Sequence, residues 1–253
     1  MDNSSSKNYM WFAAILALGF VIGAFIISGT WKKVARSNVT INVTGSASKE
    51  LKSDLGIWEG SFANESVSMT EAYAKLKESN TKVKNYLVSS GFTEDKIKFT
   101  AINTTTLYEA KSDDYSLGKP KTSNSGKIIG YRLSQDVSVE SADVDKIDKL
   151  SREVTELINQ GIAMTSNPPR FLYTKLSDLK VEMIGLATQD AKLRAEQIAK
   201  STGNKVGEVR SSKTGVIQIN QKNSTEVSDY GMNDTSSLEK TITTVVNITF
   251  SID

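Results

Sequence analysis

A stretch without charged side chains near the amino terminus constrains this chain more than any other feature. Residues 8–31 contain no Asp, Glu, Lys or Arg, and residues 10–27 are almost wholly apolar. Trp11 and Trp31 stand at the two ends of this stretch. At about 1.5 Å per helical residue the two indole rings would lie about 30 Å apart, which is the thickness of the bilayer hydrocarbon. Because Trp prefers the membrane–water interface, the pattern predicts a single transmembrane helix over residues 9–31.

An uncleaved anchor fits this helix better than a signal peptide that is removed. A secretory signal has a basic start and an apolar run of about 7–15 residues. Here the tail over residues 1–8 carries Asp2 against Lys7, and the apolar run is longer. Ser28-x-Thr30 is a poor cleavage site beside a bulky Trp. We therefore interpret residues 9–31 as an uncleaved signal anchor.

Two glycines on this helix offer a possible contact between helices. Gly19 and Gly23 form a G-x-x-x-G pattern, which permits close approach of two membrane helices. Glycine is common in membrane helices in any case, so an ordinary lipid-facing helix explains the same spacing. Both interpretations stay open at this point.

Basic residues follow the predicted span. The linker over residues 32–38 holds Lys32, Lys33 and Arg36. The positive-inside rule would place this flank, and the large domain behind it, in the cytoplasm. That rule weakens when a long domain follows the span, so the charges alone do not decide the orientation.

The composition excludes several classes of function. The chain contains no Cys and no His, which rules out disulfides, thiolate catalysis, zinc sites built from Cys and His, and a Ser-His-Asp triad. The net charge is only +2, and no basic cluster stands out beyond the linker, so nucleic-acid binding is not predicted. No cofactor and no metal site is predicted either.

Hydrophobic periodicity predicts an α+β domain over residues 39–253. Stripes at helical spacing predict three helices, at 68–90, 142–160 and 178–202, with Ser68-x-x-Glu71 as a capping box and Asp143 as a cap. Alternation predicts a mixed or antiparallel sheet of about seven strands with the helices packed on one face. The strands are expected at 39–45, 55–63, 96–107, 128–140, 171–174, 206–219 and 242–252, and the polar segments 109–127 and 220–237 are expected to be loops.

Two short motifs resemble a catalytic signature. Ser46-x-x-Lys49 and Ser177-x-x-Lys180 match the S-x-x-K of penicillin-recognising enzymes. The companion motifs S-D-N and K-T-G are missing, and a chain this rich in Ser and Lys produces such matches by chance. No catalytic residues are predicted, and Trp58 is expected in the core or at an interface.

A set of motifs occurs in a familiar order through the soluble part. In order these are Val43-Thr44-Gly45, Asp54, Gly130-Tyr131, a helix with Ala187, Ala191, Ala195 and Ala199, and then Gly203 and Gly207. This order resembles the SIMPL domain family (DUF541), over about residues 39–252. The resemblance implies an α+β domain that self-associates outside the bacterial cytoplasmic membrane and is linked to defence against oxidative stress. It also implies no established active site, and an animal member of the family binds a kinase of innate immune signalling.

Three hypotheses about function follow. The first is a non-enzymatic envelope protein, held in the cytoplasmic (inner) membrane by one helix, with its large domain on the periplasmic or extracellular side. It would act as a self-associating, homo-oligomeric scaffold through sheet edges or the Ala-rich helix. The second is a signalling adaptor that binds a protein partner. The third is an extracytoplasmic hydrolase that uses carboxylates or a Ser/Lys pair.

Overall fold

A computed structural model describes residues 16–28, 39–110 and 124–252 of the chain. Residues 16–28 form a helix, α1, whose large apolar side chains are exposed. None of the helices within these described ranges combines the length and apolarity needed to cross a membrane. Trp11, Trp31 and the basic linker lie outside the described residues, so the predicted span of residues 9–31 is only partly covered.

The rest of the described chain forms eleven strands, three further α-helices and two 3₁₀ helices, Glu94–Lys96 and Val154–Gln160, the second of which continues the helix predicted at 142–160. The helices are α2 (Met69–Ser89), α3 (Val144–Glu153) and α4 (Leu176–Ser201). The strands are β1 (Thr40–Lys52), β2 (Leu55–Ser66), β3 (Ile97–Phe99), β4 (Asn103–Ala110), β5 (Asn124–Ser141), β6 (Ala163–Ser166), β7 (Arg170–Leu172), β8 (Val206–Thr214), β9 (Gln218–Gln221), β10 (Met232–Asn233) and β11 (Glu239–Ile252).

These strands form two sheets instead of the single sheet that the sequence predicted. Sheet A has the order β1-β11-β9-β10, with β8 beside β9 on the same side of β11. Sheet B has the order β3-β5-β2-β6, with β4 also on β5 and β7 also on β2. All pairs are antiparallel except β9 with β10. The α+β class is confirmed, whereas the prediction of one sheet of about seven strands is wrong.

The count of strands differs because two predicted strands each divide in two and because two short strands, β6 and β10, were not predicted; β10 lies inside the segment 220–237, which was expected to be a loop. The segment expected as one strand at 96–107 becomes β3 and β4, which pair with different parts of the long strand β5. The segment expected at 206–219 becomes β8 and β9, which pair successively with β11. Alternation in the sequence indicates extended backbone. It does not reveal where the chain bends between two strands that pair with different stretches of the same partner strand.

Sheet B has a core of large side chains. It is built entirely from Leu55–Leu172, a continuous part of the chain, and α2 and α3 pack on it. Trp58 is completely buried there, and its Nε1 donates a hydrogen bond to Ser166 Oγ at 2.9 Å. The other buried members include Phe62, Leu76, Val83, Leu87, Val137, Val139, Ile147 and Leu157. The expectation that Trp58 belongs to the core or an interface is confirmed.

In the core of sheet A, the helix contributes mostly small side chains. Its strands flank the sheet B segment in the sequence, and α4 packs on β1 and β11. The inner face of α4 consists largely of alanines that are fully buried against Val43, Val246, Ile248 and Phe250. Leu179 and Met183 continue this face toward Ile219 and Ile242, at the other end of the helix.

At the amino termini of the helices, the predicted cap of α3 is confirmed, whereas the predicted cap of α2 does not form. The Asp143 carboxylate accepts a hydrogen bond from the backbone N–H of Lys146 at 3.1 Å, as an N-cap does. Helix α2 begins after Ser68 as predicted, but the Ser68 side chain makes no capping bond. Glu71 instead accepts a hydrogen bond from Ser66 Oγ at 2.6 Å, so the predicted capping box is wrong.

Candidate functional site

The outer edge of β1 is the longest free strand edge of sheet A. In the described part of the chain β1 pairs with β11 alone, over 13 residues in unbroken register from Thr40 opposite Ser251 to Lys52 opposite Glu239. Residues 40–48 of this strand carry no charge and no proline. Such an edge presents backbone N–H and C=O groups that can pair with another strand.

One residue shows which backbone groups face that edge. The N–H of Ser46 donates to Asp190 Oδ2 of α4 at 2.8 Å instead of to β11. Because hydrogen bonds alternate along an antiparallel strand, Asn42 and Thr44 direct their backbone groups to the same edge. The bond from Ser46 and a second bond from Arg194 hold the pKa of Asp190 below its usual range. Asp190 therefore covers the middle of the edge and leaves the stretch before Ser46 open.

A buried lysine lies where the two sheets meet. Lys240 is only 2% exposed, and its ammonium donates to the carbonyl of Phe171 at 2.8 Å and to the carbonyl of Asp234. Burial lowers the pKa of Lys240 below its usual range, while the charge of Asp234 opposes this shift. Since Phe171 belongs to sheet B and Lys240 to sheet A, this side chain ties the two sheets together.

Asp54 makes a second tie at the same junction. It lies between β1 and β2, and its carboxylate accepts from the N–H and the hydroxyl of Thr174, at 2.7 and 2.8 Å. Its own N–H donates to the carbonyl of Leu172 at 2.9 Å. Asp54 therefore fixes the short connection that leads from β7 into α4.

Asp234 is the most perturbed carboxylate at the junction. Its Oδ1 accepts from the N–H and the hydroxyl of Ser236 and from the N–H of Ser237. Burial by itself would raise the pKa of Asp234, but the bonds from Ser237 and Ser236 and the charge of Lys240 lower it to about 2. Asp234 is therefore ionised at any physiological pH.

Three small clefts surround this junction. One of about 180 Å³ includes Leu172, Thr174 and Lys240 in its lining, and another of about 220 Å³ lies between Glu50, Lys222 and Lys240. The largest of the three, about 340 Å³, lies beside β9 and is lined mostly by oxygen-bearing side chains. They are Asn220, Gln221, Ser224, Glu226, Asn233, Asp234, Ser236 and Ser237, with Met232.

The residues singled out by the family motifs occupy structural positions. A Cβ on Gly45 would come within 2.2 Å of the Ala187 carbonyl and 2.4 Å of the Ala191 nitrogen, so α4 lies directly on the β1 backbone. Ala187, Ala191 and Ala195 are fully buried. Gly203 ends α4 with a φ of +76°.

The other motif residues lie elsewhere. A Cβ on Gly130 would come within 2.9 Å of the Ser66 carbonyl, and Tyr131 packs against the core of sheet B. Gly19 and Gly23 both lie in α1. The motif residues thus fall into separate groups, and the structure does not bring them together into one site.

The Ser/Lys pairs have ordinary surroundings. Lys49 forms an exposed ion pair with Glu182 at 2.6 Å, and Ser46 lies on the edge of β1. Among the described residues no group of three or more Asp and Glu side chains is placed to hold a metal ion.

Sequence reasoning missed the junction residues Lys240, Asp234 and Asn220. A lysine at the start of a strand is usually solvated, and only the tertiary fold shows that Lys240 is covered. The available signal was the alternation of β11, which places Lys240 on the same face as Ile242 and Val246.

Two comparisons with known proteins bear on the identity of the domain. No curated protein matches the chain. The model of the SIMPL family, described as a protein of unknown function (DUF541), matches residues 41–250. This match runs from β1 to β11 and includes both sheets, so it spans the whole folded domain. The chain therefore belongs to the SIMPL (DUF541) family.

Proposed function

We propose that this protein is a non-enzymatic, membrane-anchored envelope protein that self-associates through the free edge of β1. The observation that carries the proposal is the regular, uncharged first part of that strand, residues 40–48, whose edge is open before Ser46. Proteins that stay monomeric usually interrupt such an edge with a bulge, a proline or a central lysine. Here the first charged residue of β1 is Lys49, well past the middle of the strand.

Pairing between two copies would continue sheet A across a twofold axis. An isologous contact places the same strand of each copy opposite the other, so β1 would pair antiparallel with β1 of a second molecule. The open stretch over residues 40–45 supplies outward backbone groups at Asn42 and Thr44. The Asp190 carboxylate, which accepts from the Ser46 N–H, limits the pairing to this stretch. This limit would fix which residues of the two β1 strands stand opposite each other.

Membrane anchoring rests on the amino-terminal segment. The charge-free residues 8–31 and the two flanking tryptophans support a single span, and α1 exposes Phe20 and Phe25 at 75% and 78%. From the family resemblance we place the domain on the outer side of the cytoplasmic membrane, where it would act as a scaffold in stress defence. Washing membranes with alkaline carbonate tests the anchor: the full chain should stay with the membrane, and the fragment 39–253 should be released. Release of the full chain would refute the anchor.

Light scattering coupled to size-exclusion chromatography tests self-association. We expect the fragment 39–253 to form a defined oligomer, because the folded domain carries the proposed edge. Thr44→Lys, which places a charge at that edge, should shift the fragment to monomer, and Thr188→Lys on the exposed face of α4 should not. A monomeric wild-type fragment at high concentration would refute self-association, and an oligomer that survives Thr44→Lys would refute the edge.

The same experiment separates the edge from the membrane helix. If the G-x-x-x-G of α1 drives association instead, Gly19→Ile combined with Gly23→Ile should abolish oligomers of the full chain, while the fragment 39–253 should be monomeric throughout. Under the edge proposal this double variant keeps its oligomers.

A protein-binding adaptor is the second candidate, favoured by an exposed apolar patch. Val67 lies two residues before α2, and Met69 and Tyr73 lie one turn apart at its start; their exposures are 78%, 47% and 50%. A contiguous exposed apolar patch is typical of protein interaction sites. Substituting Met69 and Tyr73 with Ser should leave self-association unchanged and abolish partner capture if this candidate is right.

A further inference from the structure

Sheet A has one face that no described helix covers, which we call the helix-free face. Helix α4 packs on β1 and β11 from the other side, where it lies against Gly45. Successive side chains of a strand point to opposite faces, so every second residue of β1 and β11 belongs to the helix-free face. Near the β1 edge these residues carry no charge and are exposed or half-buried, and they are Thr40, Asn42, Thr44, Ser46, Ser48, Thr243, Val245, Asn247 and Thr249.

A loop lies over the far end of the same face. Gln218 of β9 stands opposite Thr243, so both side chains belong to the helix-free face. The amide nitrogen of Gln218 donates to the carbonyl of Ser228 at 2.7 Å. Asn220, the next residue of β9 on this face, donates in the same way to the carbonyl of Glu226. The loop that contains these two carbonyls is therefore held on the helix-free side of the sheet.

The tip of this loop presents an aliphatic and an aromatic side chain to solvent. Val227 is 81% exposed, and Tyr230 is 98% exposed. The N–H of Gly231 donates to the carbonyl of Ser228 at 3.1 Å, which closes a turn that contains Tyr230. A tyrosine ring has an apolar body and a polar hydroxyl, and tyrosine is enriched at the membrane–water interface. The loop tip is therefore suited to a layer of lipid headgroups.

Pairing of two β1 strands determines how sheet A is oriented against a membrane. In an antiparallel pair of identical strands, the twofold axis runs perpendicular to the sheet. Two copies that are anchored in one membrane with the same topology are related by a twofold axis along the membrane normal. Both conditions hold only if sheet A lies parallel to the membrane near β1. One of its two faces is then directed at the lipids.

The segment between the predicted span and the domain is short. Eight residues, 32–39, separate Trp31 from Thr40. Because an extended chain advances by about 3.5 Å per residue, β1 begins within about 30 Å of the membrane interface. A tether of this length keeps the local concentration of lipid high, so weak contacts are enough to dock the domain.

The distribution of charge indicates which face is directed at the lipids. The α4 side bears exposed ion pairs, such as Lys49 with Glu182 at 2.6 Å, whose charges would lose water on close approach. The helix-free face offers hydroxyl and amide groups, which can donate to the phosphate and ester oxygens of lipids. Lys213 of β8 stands opposite Asn247 on this face and adds a cation that can contact a lipid phosphate.

We infer that sheet A lies flat on the membrane, with its helix-free face toward the lipid headgroups and Tyr230 in the interface. This inference rests on the proposed anchor and on the proposed pairing of β1. Two carboxylates, Glu226 and Asp229, adjoin the loop tip. They are repelled by anionic lipids, so the contact should be stronger with zwitterionic lipids.

Fluorescence quenching by lipids that carry a nitroxide on the headgroup tests this orientation. The chain contains no Cys, so one introduced Cys carries a single fluorophore. Full-length Val227→Cys and Thr188→Cys are labelled and reconstituted in phosphatidylcholine vesicles. Thr188→Cys is the matched control, because position 188 is exposed on α4. Quenching at 227 should exceed that at 188 by about threefold, since α4, about 10 Å across, and the sheet separate the two labels.

Two further changes give independent readouts. Tyr230→Ser in the chain labelled at 227 should lower its quenching by about half, because the interfacial ring is lost. Tyr108→Ser, which removes an exposed tyrosine from sheet B, should leave the quenching unchanged. Adding phosphatidylglycerol to the vesicles should also lower the quenching at 227, and a rise would overturn the position of the loop.

The controls separate this inference from the proposals on which it rests. Stronger quenching at 188 than at 227, or no quenching at either position in an anchored dimer, would overturn the inference and leave the anchor and the β1 pairing intact. A full chain that alkaline carbonate removes from the vesicles would overturn the anchor, and the inference with it. A chain that stays in the vesicles as a monomer would overturn the pairing and the symmetry argument.

Discussion

Sheets A and B of the same domain hold their helices in opposite ways. In sheet B, bulky side chains such as Trp58 and Leu87 fill the space between the strands and α2 and α3. In sheet A, Gly45 and the alanines of α4 leave almost no space, so the helix backbone touches the strand. The first arrangement derives its stability from buried area and the second from close fit. Deleting atoms should therefore damage sheet B most, and adding atoms should damage sheet A most.

Removing a large side chain from sheet B should have the largest effect. Trp58→Ala should lower the free energy of unfolding by about 3–5 kcal/mol, because it leaves a cavity in a fully buried position and frees Ser166 of its donor. Urea denaturation followed by circular dichroism measures this loss. Trp58→Phe is the control and should retain most of the stability. A loss below about 1 kcal/mol for the alanine variant would contradict the described core.

Adding one methyl group to sheet A should have the next largest effect. Gly45→Ala should cost about 3 kcal/mol, because the new Cβ meets backbone atoms of α4, which cannot rotate away. A second change, Ala191→Gly, should not rescue it, since two of the three nearest atoms are backbone. Gly185→Ala, with nothing within 4 Å, is the matched control and should stabilise α4 by up to about 1 kcal/mol.

Hydrogen exchange can show whether the two sheets respond separately to these changes. Trp58→Ala should lower amide protection mainly in β5, and Gly45→Ala mainly in β11. The hydrogen bonds of Lys240 and Asp54 connect the two sheets. If both variants lose protection equally in both sheets, the sheets unfold as one cooperative unit, and the proposed difference between them is wrong.

The smallest predicted effect concerns Asp234 and depends on pH. Its folded pKa of about 2 lies below the ordinary 3.8, so its charge stabilises the fold above pH 3.8, and this stabilisation is lost as the pH falls toward 2. Because the side chain is only partly buried, we expect about 1 kcal/mol at neutral pH, after allowing for solvent screening. Urea denaturation of Asp234→Asn at pH 6 and pH 2.5 checks this. The difference from wild type should shrink at the lower pH, and a constant difference would contradict it.

Local features of this fold could be predicted because neighbouring residues determine them. The alanine spacing of α4 and the cap at Asp143 follow from helical geometry, and the burial of Trp58 follows from its hydrophobicity. The division into two sheets could not be predicted, because β1 pairs with β11, about 200 residues away. The capping box failed for a related reason: Ser66, outside the motif, competes for Glu71.

The junction residues beside β9 were even less accessible to sequence analysis. Asn220 and Asp234 lie in a segment that is mostly polar, and nothing in their spacing distinguishes them from solvated loop residues. Their positions follow from a short parallel pairing between β9 and β10 and from the contact of the Asp234 carbonyl with Lys240. Both are properties of three-dimensional placement.

The continuity of sheet B has a consequence for the order of folding during synthesis. All strands of sheet B have left the ribosome once Leu172 has emerged, whereas sheet A lacks its central strand until Ile252 does. The growing chain therefore carries a complete sheet B and an unpaired β1 while the residues from Leu172 to Ile252 are made, which takes about 4–16 s at usual bacterial and eukaryotic rates. During that interval both edges of β1 lack a partner strand, so β1 strands of neighbouring nascent chains on one messenger would be free to pair with each other.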